Sequence, residues 1–185
     1  MNAPVHASAA QARRRRAAVA QRLLAQAPDC VDALDWATLD TAPDWLALPE
    51  PEFARLRARV GAVICVASLR LWIDGARLAA ARAAVGDAFL RNLLAQPAMP
   101  MNPLDLAAQP RIDVAGQVGT LLQLAGSSVL LAAVPYGLLR RAACAALAPA
   151  LPSTMAAELA RSLIARATTL ATPEGKADEL SAVAA

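Results

Sequence analysis

Three aspartates spaced three residues apart form the most suggestive chemical pattern in this chain of 185 residues. On a helix, the carboxylates of Asp29, Asp32 and Asp35 would lie near one another and could hold a divalent cation. The surrounding sequence contains neither an ExxH pair nor a DxDxDG loop. Acids at a helix start also complement the helix dipole, and Asp29 is well placed as an N-cap. The pattern therefore favours a capped helix start over a metal site.

A further acid, Asp74, interrupts the apolar stretch "LRLWIDGARLAAARAAVG" at residues 69–86. Acid–base catalysis would need a second titratable group beside it, and no pair of carboxylates stands out. Asp74 and Gly75 are instead the residue types that begin and end helices. We interpret them as a helix junction, predict a positive φ at Gly75, and keep partner contact as an alternative role for Asp74.

The cysteines and the single histidine do not form a recognisable site. Cys30, Cys65 and Cys144 are far apart, contain no CxxC pair, and have only His6 to accompany them. Structural zinc needs four ligands, and these residues offer no convincing set of four. We therefore expect the cysteines to be buried free thiols in a reducing cytoplasm. Phosphate-binding glycine loops, GxSxG and HExxH are missing as well. The sequence predicts a protein that is not an enzyme and has no metal, cofactor or small-molecule substrate.

Positive charge is concentrated at the N-terminus. The first 28 residues contain five arginines and no acid, and the whole chain has a net charge of +3. The run Arg13–Arg16 could contact phosphates, but no aromatic residue is interleaved with it, so no nucleic-acid partner is predicted. We expect a solvated helix end or one attracted to a membrane surface. Gln21 and Arg22 interrupt the apolar residues that follow, which argues against a secretory leader.

The composition predicts an all-α protein. Hydrophobic residues make up 57% of the chain and aromatic residues 3%, so alanine and leucine, which favour helices, dominate. We predict a single compact helical domain of about six to eight helices over residues 11–171. Residues 1–10 and 172–185 are predicted to be disordered termini.

A central helix is predicted from about Pro51 to Ile73. Its apolar face contains residues at spacings of three and four, namely Phe53, Leu56, Val60, Val63, Ile64, Ala67 and Leu71. The next helix is expected to end at Gly86, and Asp87 to cap the one after it. A later helix should be loosened at Gly126, and Pro135 should start or kink the element beyond it.

The last predicted helix follows Ser153, which can cap it. Its apolar side contains Met155, Leu159, Leu163 and Ile164. Residues 114–139 contain no charged residue and precede Arg140 and Arg141, so they are long enough to span a bilayer. Polar residues and glycines within this stretch suit buried helices of a soluble domain equally well. Both interpretations stay open.

Residues 45–94 resemble the K-type cytoplasmic accessory proteins of bacterial type III secretion systems. The shared pattern is a Leu-Pro before a long helix, an Arg-x-Gly-Ala within it, a Leu-Arg-x-x-Ile-Asp-Gly, and a helix that ends at glycine. In this chain these are Leu48 and Pro49, then Arg59, Gly61 and Ala62, then residues 69–75, then Gly86.

The resemblance implies a noncatalytic, all-helical adaptor of the cytoplasmic sorting platform. Its partners would be the inner-membrane ring protein and the C-ring or pod protein, and it would lie at the cytoplasmic face of the inner membrane. Interface energy tends to concentrate in Trp, Tyr and Arg. Our candidates for partner contact are Trp45, Leu48, Arg70, Trp72 and Asp74, with core packing as the alternative for both tryptophans. A small membrane-anchored or membrane-surface protein that uses residues 114–139 is the alternative function.

Overall fold

Helices account for the regular structure of the computed structural model, which describes residues 3–28, 34–97, 114–135, 137–150 and 155–171. Among these residues there is no strand, and the all-α prediction is confirmed. The α-helices are α1 (Ala3–Gln26), α2 (Trp36–Asp40), α3 (Glu50–Ile64), α4 (Val66–Arg70), α5 (Gly75–Val85), α6 (Asp87–Ala95), α7 (Val118–Ala133), α8 (Leu138–Ala146) and α9 (Ala157–Ala171). Two 3₁₀ helices, Asp44–Ala47 and Ala115–Gln117, precede α3 and α7.

The centre of the fold is the crossing of α3 and α7, with α5 and α9 packed against both. Helix α1 contacts α2, α8 and the 3₁₀ helix Asp44–Ala47 on another side of the domain. The second half of α3 is buried nearly all round, as its apolar sequence predicts. Leu163 and Ile164 of α9 are buried, which confirms the apolar side predicted for the last helix.

Two glycines allow α3 and α7 to approach closely. A Cβ atom on Gly61 would lie 1.8 Å from the carbonyl oxygen of Leu122, and one on Gly126 would lie 1.8 Å from that of Arg57. Because 61 follows 57 while 122 precedes 126, the two helices run antiparallel at this point. The sequence predicted a helix loosened at Gly126. This prediction is wrong, because α7 is continuous from Val118 to Ala133.

The predicted central helix is broken at Cys65 into α3 and α4. Residues 63–66 are Val, Ile, Cys and Val, which all have low helix propensity. The break shifts the buried face, so Ala67 and Leu71, which were expected on it, are exposed. Together with the short α2, this break explains why the described residues contain more helices than expected.

The residues at the helix junctions agree only in part with the sequence predictions. Gly86 ends α5, as predicted, and its φ is 93°. Arg59 donates from Nε to the carbonyl of Val85 at 3.0 Å. Gly75 does not take a positive φ; it is the first residue of α5, and the prediction is wrong there. Asp87 is also not the cap of α6, because Gly86 occupies that position.

The chain ends are described only in part. Helix α1 begins at Ala3, earlier than the predicted start at residue 11, because residues 3–12 are rich in alanine. Asp29 and Asp32, Ser153 and the tail 172–185 lie outside the described residues. Pro135 separates α7 from α8, as predicted.

One helix in the described part of the chain is long and apolar enough to cross a membrane. It comprises Ala115–Ala133, with a mean hydropathy of 1.2, and half of this stretch is buried against the rest of the protein. Core helices of soluble proteins pass the same test of length and hydropathy.

Candidate interaction surface

The five predicted contact residues fall into two separate groups. Trp45 and Leu48 lie just before α3, whereas Arg70, Trp72 and Asp74 lie at and beyond the end of α4. Helix α3 alone is about 22 Å long at 1.5 Å per residue. The structure therefore does not bring the five residues together into one patch.

Trp45 and Leu48 hold the start of α3 against α1. The Trp45 ring is stacked on Phe53 with centroids 6.1 Å apart, and both Trp45 and Leu48 are half-buried against the core. The backbone carbonyl of Leu48 accepts a hydrogen bond from Arg22 of α1. These contacts give both residues a structural role in the folded chain.

Arg70 fastens the end of α6 to α4. Its guanidinium donates to the backbone carbonyls of Gln96 and of Leu94, the latter at 3.5 Å. Carbonyls in the last turn of a helix have no partner within the helix, so this side chain satisfies groups that would otherwise need water. Arg70 is half-buried for the same reason.

Asp74 caps α5, which confirms the capping prediction. Its carboxylate accepts from the backbone N–H of Ala76 at 2.8 Å and from Arg77 Nε at 3.1 Å. The Arg77 guanidinium also lies 5.5 Å from the centre of the Trp72 ring. Trp72 is half-buried against the core, in the loop rather than in the central helix where the sequence placed it.

We expect Asp74→Ala to lower the free energy of unfolding by about 1 kcal/mol, because the cap of α5 is lost. In a domain of this size that corresponds to a fall of roughly 2–4 °C in the thermal midpoint. Asp74→Asn is the matched control, since it keeps a capping oxygen but loses the ion pair with Arg77. If the Asn variant is destabilised as much as the Ala variant, the ion pair rather than the cap stabilises this junction.

The sequence did not point to the two most exposed large apolar side chains of the region. Leu71 is 81% exposed and Ile73 is 97% exposed, on either side of the half-buried Trp72. We call residues 71–74 the 71–74 loop. Periodicity assigned Leu71 to the buried face of a longer helix, and the only available signal for a loop was the break at Asp74. Contiguous apolar patches rimmed by polar residues mark protein interaction sites, and Leu71 and Ile73 lie in sequence between Arg70 and Asp74.

The basic N-terminal helix pairs with the segment that follows it. Arg15 Nε lies 2.7 Å from a carboxylate oxygen of Asp44, and Arg16 donates through two nitrogens to Asp40. The hydrogen bond to Asp40 raises the pKa of Arg16. Arg13 and Arg14 are exposed. Half of the arginine run thus contributes to the fold rather than forming a solvated end.

The described cysteines provide no reactive pair. Cys65 is buried, and burial raises the pKa of its thiol to about 12, so it is neutral at physiological pH. Cys144 is exposed, and the prediction that it is buried is wrong. Cys30 lies outside the described residues. No group of three or more His, Cys, Asp or Glu residues in the described ranges is placed to hold a metal ion.

Neither protein-family models, nor curated proteins, nor solved structures gave a match to this chain. Within the described residues the fold is all-α, and Leu71 and Ile73 of the 71–74 loop are large apolar side chains exposed to solvent.

Proposed function

We propose that this protein is a noncatalytic adaptor of a bacterial type III secretion system. It would link the inner-membrane ring protein to the C-ring or pod protein of the cytoplasmic sorting platform. The observation that carries the proposal is the position of the 71–74 loop. It lies within the segment that resembles the K-type accessory proteins, and it exposes Leu71 and Ile73 to solvent.

The surroundings of the loop support a rigid docking element. Trp72 packs inward, Arg77 contacts its ring, and Asp74 caps the following helix, so the loop is held at three points. Docking on such a preorganised loop loses less conformational entropy than docking on a flexible one. The apolar pair with charged neighbours also matches the usual arrangement of an interface, with an apolar centre and a polar rim.

The other motif residues of the resembling segment support the scaffold that carries the loop. Gly61 permits the close crossing with α7, Arg59 bonds the end of α5, and Ala62 is fully buried. An adaptor needs a stable helical frame that presents separate contact surfaces, and these residues support such a frame.

Copurification tests the proposal directly. The tagged full-length chain is coexpressed with the cytoplasmic domain of the ring protein, with the pod protein, and with both. We expect coelution with each partner and a ternary complex with both, and loss of secretion when the chain is deleted from the bacterium. Absence of binding to both partners would rule out the adaptor function.

A membrane-anchored or membrane-surface protein is the second candidate, favoured by the length and hydropathy of Ala115–Ala133. Insertion would require α7 to leave its close contact with α3 at Gly61 and Gly126. Fractionation of the protein expressed alone separates the candidates. Sedimentation with the membranes supports the second candidate, and resistance to carbonate extraction then distinguishes insertion from surface binding. Recovery in the soluble fraction before any extraction supports the adaptor.

A further inference from the structure

A cavity of about 610 Å³ lies between α1, the start of α3 and the end of α8. Arg22 projects into it from α1, and Phe53 and Arg57 from α3. Small residues form much of the remaining wall, including Ala18 and Ala25 of α1 and Ala146 of α8. We call this space the arginine cavity. Its volume is in the range of cavities that bind small molecules.

The two arginines in this cavity have unused hydrogen-bond donors. Arg22 Nε and Nη1 and Arg57 Nε are buried and have no hydrogen-bond partner. The Arg22 side chain is only 13% exposed. Leaving charged donors buried without acceptors is costly, and such groups are rare in folded proteins. These three nitrogens therefore point to an acceptor that is not part of the described chain.

The guanidinium groups are held in place around one aromatic ring. The central carbon of Arg22 lies 3.9 Å from the centre of the Phe53 ring, and that of Arg57 lies 5.9 Å from it. Arg22 Nη2 is engaged by the Leu48 carbonyl and lies 3.5 Å from Glu50. Phe53 is itself stacked on Trp45. Arg22 is thus held in place by the ring, the Leu48 carbonyl and Glu50, and Arg57 lies within cation–π distance of the same ring.

The charge of the cavity favours a ligand with a single negative charge. Arg22, Arg57 and Glu50 are its ionisable lining residues, so their formal charges leave one positive charge. Burial lowers the pKa of both arginines, and the repulsion from Arg22 lowers that of Arg57 further. Arginine remains protonated in proteins, so this desolvation persists as a cost until an anion is bound.

We propose that the arginine cavity binds a carboxylate that carries a short apolar stem. The carboxylate would accept hydrogen bonds from Arg22 and Arg57, and the stem would pack against Phe53 and the alanines. A doubly charged phosphate would exceed the single positive charge and would leave the apolar wall uncovered. The carboxylate can belong to a free small acid or to an acidic residue of a polypeptide. This site is independent of the adaptor function, since the 71–74 loop lies beyond the opposite end of α3.

Binding to the full-length protein is measured by calorimetry and by the rise in thermal midpoint with ligand concentration. One arm compares hexanoate with hexanamide, which has the same stem without the charge. A second arm compares the blocked peptide Ala-Ala-Glu-Ala-Ala with its Gln counterpart, and a third uses inorganic phosphate. We expect saturable binding of hexanoate or of the Glu peptide, and at least tenfold weaker binding of the neutral counterpart. The arm that binds more tightly identifies the source of the carboxylate.

Arg57→Met tests the residue, and Arg55→Met, an exposed arginine on the same helix, is its matched control. We expect Arg57→Met to weaken carboxylate binding at least tenfold and to leave the midpoint of the ligand-free protein equal or higher, because an unpaired buried charge is removed. Arg55→Met should bind as the unmodified chain does.

The proposal is overturned if neither carboxylate binds up to about 10 mM, if the neutral counterparts bind equally, or if phosphate alone binds. It is also overturned if Arg55→Met weakens binding as much as Arg57→Met. The comparison of charged and neutral ligands uses the unmodified chain. It therefore tests carboxylate binding even if the Arg57 variant fails to fold.

Discussion

We expect Gly61→Ala to lower the free energy of unfolding by about 3 kcal/mol, although the substitution adds only one methyl group in a helix. The new Cβ would lie 1.8 Å from the Leu122 carbonyl oxygen, and it would also approach the carbonyl carbon at 2.7 Å. Both atoms belong to the backbone of α7, so no side chain can move to make room. The helices must separate, which weakens the packing at the centre of the core. Thermal and denaturant unfolding should show a midpoint lower by roughly 6–12 °C.

Gly75→Ala is the matched control, because it is also a helical glycine but has no atom within 4 Å of the position of a Cβ. Helix propensity alone makes alanine more favourable than glycine, so this variant should gain about 0.4–1 kcal/mol. Gly126→Ala should be destabilised like Gly61→Ala. Since one separation of the helices accommodates both methyl groups, the double variant should cost less than the sum of the single variants. A neutral or stabilised Gly61→Ala would show that α3 and α7 do not cross this closely.

The local features of the fold could be predicted because they depend on neighbouring residues. Asp74 caps the helix that begins one residue later, and Gly86 ends the same helix with a positive φ. The apolar face of α9 follows from the spacing of its leucines and isoleucine. Each of these features involves one element and the physical preferences of a few adjacent side chains.

The crossing of α3 and α7 could not be predicted, because it joins residues far apart in the chain. Glycine in a helix has several explanations, and the sequence suggested a loosened helix at Gly126 and a helix end with a positive φ at Gly75. The structure assigns close backbone contact to Gly126 and places Gly75, without a positive φ, as the first residue of α5. Which face of one helix meets another is decided by the packing of the whole domain rather than by local propensity.

The 71–74 loop contains two of the five predicted contact residues, Trp72 and Asp74, whereas its exposed apolar residues were not among them. Tryptophan and arginine were selected because they are common anchors of interfaces, yet Trp45 is stacked on Phe53 and Arg70 bonds to the end of α6. Leu71 and Ile73 were missed because the break at Cys65 rotates the chain after it. A shift of the helical face by one break is enough to exchange buried and exposed positions.

Ile73→Asp, combined with Leu71→Asp, should weaken capture of a secretion partner by roughly 10- to 100-fold if the adaptor function is correct. Burial of one large aliphatic side chain contributes about 1.5–3 kcal/mol, which is at least tenfold in affinity. The two side chains are largely exposed in the isolated chain. The free energy of unfolding of the double variant should therefore lie within about 1 kcal/mol of that of the unmodified chain. Affinity is measured with the purified ring and pod proteins, and secretion in the corresponding bacterial strain.

Val114→Asp is the matched control, because Val114 is another exposed aliphatic residue, 54% exposed, outside the 71–74 loop. It should leave both partner affinity and secretion unchanged. Trp45→Ala provides the opposite comparison, since loss of its stacking on Phe53 should lower stability and thereby reduce secretion through the amount of folded protein. A loop variant that binds both partners normally would exclude the 71–74 loop as the docking site. One that loses binding only in proportion to its loss of folded protein would assign Leu71 and Ile73 to the stability of the domain.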